Sequence, residues 1–320
     1  MALAHIPQGA AGDQFSPDNR TSTRALLLPG GGLRLSYAAG VLTEIFAHDL
    51  KFQLMDGTSG GSLNLAMLLS GLHIDEICDR WRSLKMRHTI SFMPLLNYLW
   101  PPQFVAASSA KGFRQKVYPH LGIDFDKIRA ATGVQGSFNV CNFGKKMNQL
   151  ILHQDISEDL LLAGMSLPGT LPPVTINDEV FLDSGFIQDV NLLDAVKRGA
   201  NELWLIWIMG NIKQYRKNPI NLYVQMLEMS ANGALIKELL QIKEINARIA
   251  KGETVYGHSK PITLHLIKPA HPLPLDTALY TGSTTHAKLI DMGKADARRY
   301  FDEFKGEGMP FEPEILSMVA

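Results

Sequence analysis

The chain has 320 residues, of which 46% are hydrophobic and 19% charged; that composition can fill one large core and excludes a disordered chain. Lys plus Arg and Asp plus Glu both number 31, so no global charge excess draws the chain to nucleic acid or to an anionic membrane. Cys78 and Cys141 are the only cysteines, which excludes a disulfide framework, and their spacing makes no metal site.

Residues 1–20 lack a basic region followed by an apolar run and are expected to form a flexible polar leader rather than a signal peptide. No apolar stretch approaches the roughly 20 residues that span a bilayer. The expectation is a cytoplasmic protein, at most peripheral to a membrane, with residues 21–320 as one domain.

Arg24 to Pro29 is a short apolar run ending at glycines, which predicts a buried strand. Leu35 to Leu50 has helical spacing, with Tyr37, Val41, Ile45 and Phe46 on one side. Lys51 to Met55 predicts a second strand. The run Leu63 to Leu69 is apolar all round and predicts a buried helix. His73 to Leu84 is amphipathic. Phe92 to Val105 is uncharged and rich in Leu, aromatics and Pro; an insertion around 85–120 could serve as a lid or cap. Ser108 to Thr132 reads as two short helices. Gly136 to Phe143 and Gln149 to His153 alternate like strands joined at Gly144. Val180 to Asp183 and Glu202 to Met209 are short apolar strands. Leu222 to Lys251 is helical with a break expected near Gly233. Ile262 to Ile267 is a last strand and His286 to Phe304 a last amphipathic helix. Strands alternating with helices predict an α/β fold with a mostly parallel central sheet flanked by helices.

Three segments carry chemistry. Gly57-Thr58-Ser59-Gly60-Gly61 fits G-x-S-x-G between a strand and a helix. Small neighbours let the backbone turn sharply and leave the Ser oxygen exposed, and the following helix aims its N-terminal amides at developing negative charge. Gly30-Gly31-Gly32-Leu33-Arg34 also joins a strand to a helix, and its bare amides can hold an oxyanion or a phosphate. Neither the lysine of a P-loop nor G-x-G-x-x-G spacing is present, which weakens the phosphate reading. Arg34 either bonds the loop carbonyls or lies on the helix surface. Acyl transfer also needs a base. Asp183, ending the strand before Ser184 and Gly185, is a candidate; Asp56, Asp189 and Asp194 are rivals by residue type only.

Together, PGGGLR at 29–34, GTSGG at 57–61 and LDSG at 182–185 resemble the patatin-like phospholipase family, and the small-residue, Pro-rich run Ala163 to Val174 is similar to the family's segment upstream of its Asp. The likeness spans residues 24 to 200. It implies a patatin-like three-layer sandwich and a lipid acyl hydrolase with a Ser59–Asp183 dyad. It also implies an oxyanion hole from Gly30, Gly31, Gly32 and Gly60, supported by Arg34. The implied partner is a phospholipid or other acyl lipid, with peripheral membrane contact and no nucleic acid; no cofactor or metal is called for. Leu96, Leu99 and Trp100, with Tyr98, are candidate lipid contacts. The chain departs from the family pattern at Ser184, where Gly is usual, and at Gln188-Asp189-Val190-Asn191, where Asn and Pro are common. Two alternatives stay open: a Ser-Asp-His esterase using His258, His265, His271 or His286, and a non-catalytic lipid or acyl-group binder on the same fold.

Overall fold

The computed structural model describes residues 23–85, 106, 108–210, 215, 217–271, 273, 285–305 and 308. The expected leader, and Leu96, Tyr98, Leu99 and Trp100 of the expected lid, lie outside the described residues.

In chain order, β1 (Arg24–Leu28) leads through a 3-10 turn (Gly32–Leu35) into α1 (Ser36–Ala47), β2 (Leu54–Thr58), α2 (Gly61–Leu69) and α3 (Ile74–Ser83). A π-turn (Phe113–Val117) runs into α4 (Tyr118–Leu121) and is followed by α5 (Phe125–Ala130), β3 (Gln135–Asn142), β4 (Met147–Leu152) and α6 (Glu158–Ala163). The remainder is β5 (Val174–Ile176), β6 (Glu179–Asp183), α7 (Leu192–Lys197), β7 (Glu202–Ile206), α8 (Pro219–Ile249), β8 (Thr263–Ile267) and α9 (His286–Phe304).

The eight strands form one mixed, mostly parallel sheet flanked by helices. Strands β8, β7, β1, β2 and β3 run parallel in that order. Ala25, Leu26, Leu27 and Leu28 of β1 are all buried, the continuous apolar run that a parallel strand covered on both faces requires. In α3 the buried residues Ile74, Ile77, Cys78 and Trp81 recur at helical spacing. Asp75 and Glu76 lie in its first turn and Arg80 and Arg82 in its last, each complementing the helix dipole.

The register of β3 positions the site. Residues 137–142 of β3 pair with β4 along one edge. The other edge is shared: β2 pairs in parallel up to Thr58 opposite Asn139, and β6 pairs antiparallel from Asp183 opposite Val140. Strands β2 and β6 therefore meet end to end, and the residues that leave them meet too.

Two expectations shift. The second strand occupies Leu54–Thr58, later than the apolar run Lys51 to Met55, because Asp56 and Gly57 are sheltered by β3 and carry no sign of it in sequence. The break expected at Gly233 is absent: α8 is continuous from Pro219 to Ile249. One helical Gly costs about 1 kcal/mol. Burial of Leu235, Leu239, Ile242, Ile245 and Ile249 outweighs it, at ~1.5–3 kcal/mol for each large side chain. No described helix is long and apolar enough to cross a membrane.

Candidate functional site

Ser59 follows β2 with φ +51°, in the left-handed region. A non-Gly residue there is strained, and the strain belongs to the sharp turn that sends the chain from β2 straight into α2. Gly61 makes the turn fit: a Cβ there would strike the carbonyls of Leu28 and Pro29. The serine turn is thus pressed against the end of β1, where the glycine loop begins.

Ser59 Oγ donates to Asp183 Oδ2 at 2.6 Å. The other carboxylate oxygen, Oδ1, accepts the Gly185 amide at 2.8 Å. Asp183 is 1% exposed. Burial pushes its pKa up to about 6, against the downward pull of the Ser59 and Gly185 hydrogen bonds. The Asp183 amide donates to Ser166 O, so the small-residue run Ala163 to Val174 lies alongside this strand end. Ser184 stays out of the left-handed region and tolerates the turn in place of Gly. Its hydroxyl donates to Asn148 Oδ1 at 2.7 Å.

The glycine loop lies across Ser59. A Cβ on Gly30 would sit 2.8 Å from Ser59 Cβ, an approach that only Gly permits. The Gly30 amide does not point freely into the site: it donates to Asp189 Oδ1 at 3.0 Å. The amides of Gly31, Gly32 and Gly60 have no protein acceptor among the described residues. Arg34 is buried and its Nε donates to Gly31 O at 3.1 Å, clamping the loop from within. Burial lowers its pKa, while the Glu228 and Asp189 carboxylates oppose that shift.

The rival acids have other partners. Asp56 accepts from Ser137 Oγ at 2.6 Å, from Asn139 Nδ2 at 2.9 and 3.0 Å, and from Asn191 Nδ2 at 3.0 Å. Asp194 pairs with Arg198 at 3.2 Å. Asp189 lies beside the glycine loop. None of the candidate histidines bonds Ser59 or Asp183. His258 Nε2 contacts Val196 O, His265 stacks on Trp204 with Nδ1 to Tyr300 Oη, and His286 Nδ1 contacts Ser36 Oγ. His271 is exposed.

No sequence motif flagged the polar network behind this site. Asn148 Nδ2 donates to the side-chain oxygens of both Asn139 and Asn191, and those two asparagines hold Asp56. The signal was weak: Asn139 and Asn148 sit inside β3 and β4, and Asn191 stands just before α7. Ser184 and, from the segment Gln188-Asp189-Val190-Asn191, Asn191 both join this network. No described group of three or more His, Cys, Asp or Glu side chains is placed to hold a metal ion.

A family model described as Patatin-like phospholipase matches residues 26–196, a span that contains the glycine loop, the serine turn and Asp183. The chain belongs to the patatin-like phospholipase family. It is also similar to Lysophospholipase NTE1 of Candida glabrata, 23% identical over 181 residues, covering 57% of this chain and 10% of that protein. It is similar to Lysophospholipase NTE1 of Debaryomyces hansenii, 25% identical over 177 residues, covering 55% and 11%. The chain thus spans only about a tenth of the length of these curated relatives. Among solved structures, VipD from Legionella pneumophila aligns with TM-score 0.42 and 12% identity over 88% of this chain and 67% of that one.

Proposed function

We propose that this patatin-like chain is a lipid acyl hydrolase in which Ser59 is the nucleophile and Asp183 its base. The observation that carries the reading is the 2.6 Å hydrogen bond from Ser59 Oγ to a buried carboxylate, on a strained strand-to-helix turn facing a glycine loop.

Ser59 Oγ attacks the ester carbonyl and its proton passes to Asp183 Oδ2. The carbonyl oxygen becomes an oxyanion and takes hydrogen bonds from the free amides of the glycine loop and of Gly60. The N-terminus of α2 adds its positive end. Collapse expels the alcohol, which takes the proton from Asp183 and leaves an acyl group on Ser59. Water then attacks that ester and gives a proton to Asp183; collapse returns it to Ser59 Oγ, and a fatty acid leaves. An Asp in water is a poor base for a serine. Burial that raises Asp183 to about 6 brings it closer to the useful range. Arg34 acts by holding the Gly31 carbonyl, so that the loop keeps its shape as charge develops.

The relatives named as lysophospholipases support an ester of a phospholipid or lysophospholipid as substrate. A second support is an apolar rim beside the site. The stretch of α8 from Tyr223 to Ser230 lies over Phe186: Ser230 Oγ bonds its carbonyl, and the Tyr223 and Phe186 rings meet edge on. Ile187, Met226 and Met229 are exposed on this rim, a surface suited to acyl chains at a lipid boundary. Substrate would arrive from a membrane or micelle by peripheral contact.

The test is covalent labelling with a fluorophosphonate, beside product analysis on defined lysophospholipids, phospholipids and neutral lipids. The expected result is a Ser59 adduct, absent in Ser59→Ala, and fatty acid release that Ser59→Ala and Asp183→Ala lose. A folded protein that binds lipid but never forms the adduct would overturn the reading and make the chain a binder.

A further inference from the structure

The structure brings Asp189 to the heart of the candidate site. Its Oδ1 accepts the Gly30 amide at 3.0 Å, and a Cβ on Gly30 would sit 2.6 Å from that oxygen and 2.8 Å from Ser59 Cβ. Asp189 and Ser59 thus border the same space beside Gly30. The side chain is 1% exposed, and its second oxygen, Oδ2, is buried with no hydrogen-bond partner among the described residues. A Cβ on Gly185 would lie 3.2 Å from Asp183 Oδ1 and 3.4 Å from Asp189 Oδ1. The two carboxyl groups flank the same glycine.

We propose that Asp189 is a positioning residue of this hydrolase site: its uncharged carboxyl group holds the glycine loop against Ser59, and its ionisation disables the loop as host to an oxyanion. The inference rests on the hydrolase reading above.

An ionised carboxylate with one bare oxygen out of water is disfavoured, and two adjacent carboxylates resist ionising together. The described groups that act on Asp189 include the Gly30 amide and the Arg34 guanidinium from the loop, and the Asp183 carboxyl from the end of β6. Glu228 of α8 draws on the same arginine, so Arg34 is shared between two acids. Burial first, and Asp183 second, raise Asp189 well above the usual carboxylate range; Gly30 and Arg34 pull the other way without winning. Asp183 and Asp189 then divide the work. At working pH, Asp183 is free of its proton and accepts one from Ser59, while Asp189 keeps its proton and adds no negative charge beside the nascent oxyanion. Titration belongs to the pair, so activity should fall on both sides of an optimum.

The experiment compares kcat/KM against pH on a soluble short-chain ester for the full chain, Asp189→Asn and Asp189→Ala, with fluorophosphonate labelling of Ser59 alongside. The amide oxygen of Asp189→Asn can still accept from Gly30, and the variant cannot ionise. Its alkaline limb should vanish, leaving it about tenfold more active than the parent one pH unit above the parent's alkaline midpoint. Asp189→Ala leaves the Gly30 amide bare and should lower kcat more than it raises KM. A readout independent of catalysis is thermal unfolding of Ser59→Ala with and without Asp189→Asn. Because burial raises the folded-state pKa, the stability that Asp189 contributes at low pH is lost as pH rises toward that value. The Asn variant should remove that loss. An unchanged alkaline limb in Asp189→Asn, or no alkaline limb in the parent, overturns the inference while the hydrolase reading stands. A parent that neither labels nor hydrolyses overturns both.

Discussion

Two carboxylate regions lie within a few residues of each other in space, one beneath the middle of β2 and one where β2 and β6 meet. Depth does not distinguish them: Asp56 is 6% exposed and Asp183 1%. Burial raises both pKa values. What differs is the supply of donors. Both oxygens of Asp56 are taken up by Ser137, Asn139 and Asn191, so nothing is left to receive a nucleophile's proton. Asp183 spends one oxygen on Gly185 and offers the other to a serine hydroxyl. On the proposed mechanism, the comparison teaches that a buried acid becomes useful as a base when its donors leave one oxygen to the nucleophile.

That contrast can be broken experimentally, starting with the partner of the free oxygen. On the proposed mechanism, Ser59→Ala should reduce ester hydrolysis by at least ~1,000-fold, read as fatty acid release from lysophospholipid micelles. Asp183→Asn should follow at ~100- to 10,000-fold, with an unexpected companion in stability. The folded pKa of Asp183 is raised, so the stability it contributes is fully present below its unfolded value of 3.8 and is lost as pH rises through about 6. Denaturant titration at pH 8 should therefore find Asp183→Asn more stable than the parent, by on the order of 2–3 kcal/mol. Asp56→Ala should do the reverse, losing ~2–4 kcal/mol because it strands buried donors. If both acid variants were equally destabilised, the distinction between a saturated and an unsaturated acid would fail.

The next effect is a pH profile. Asp183 must be unprotonated to accept from Ser59, so activity should rise with pH through about 6, as read from kcat/KM. The smallest expected effect is none. Alanine at His258, His265, His271 or His286 should leave kcat intact in folded protein, since none of these rings bonds Ser59 or Asp183; a near-total loss from one of them would restore the triad.

Much of this was legible in the sequence because it rests on local rules. The runs that became β1, β7 and β8 are apolar over consecutive residues, and a glycine-flanked Ser between strand and helix announces its own turn. The antiparallel part was harder to read. β5 is three residues long and its VTI pattern is half-exposed, too little for any periodicity. The position of Asp189 was illegible for a different reason. Its contact with Gly30 crosses 159 residues and depends on how β6 abuts β2, which no local pattern encodes. The same holds for Asn139, Asn148 and Asn191, whose roles exist only once three segments are brought together. Gly233 misled because a local cost was visible and the burial that offsets it was not.

The shared edge of β3 has a consequence beyond placing two side chains. Because β2 ends opposite Asn139 and β6 ends opposite Val140, neighbouring rungs of one strand set the spacing between groups 124 residues apart in the chain. β3 acts as a ruler, and a ruler can slip. A one-residue shift in either pairing turns side chains to the opposite face and parts the serine from the acid while most of the sheet survives. The reactivity of Ser59 would then report the alignment of a single strand, and loss of function could precede any measurable unfolding.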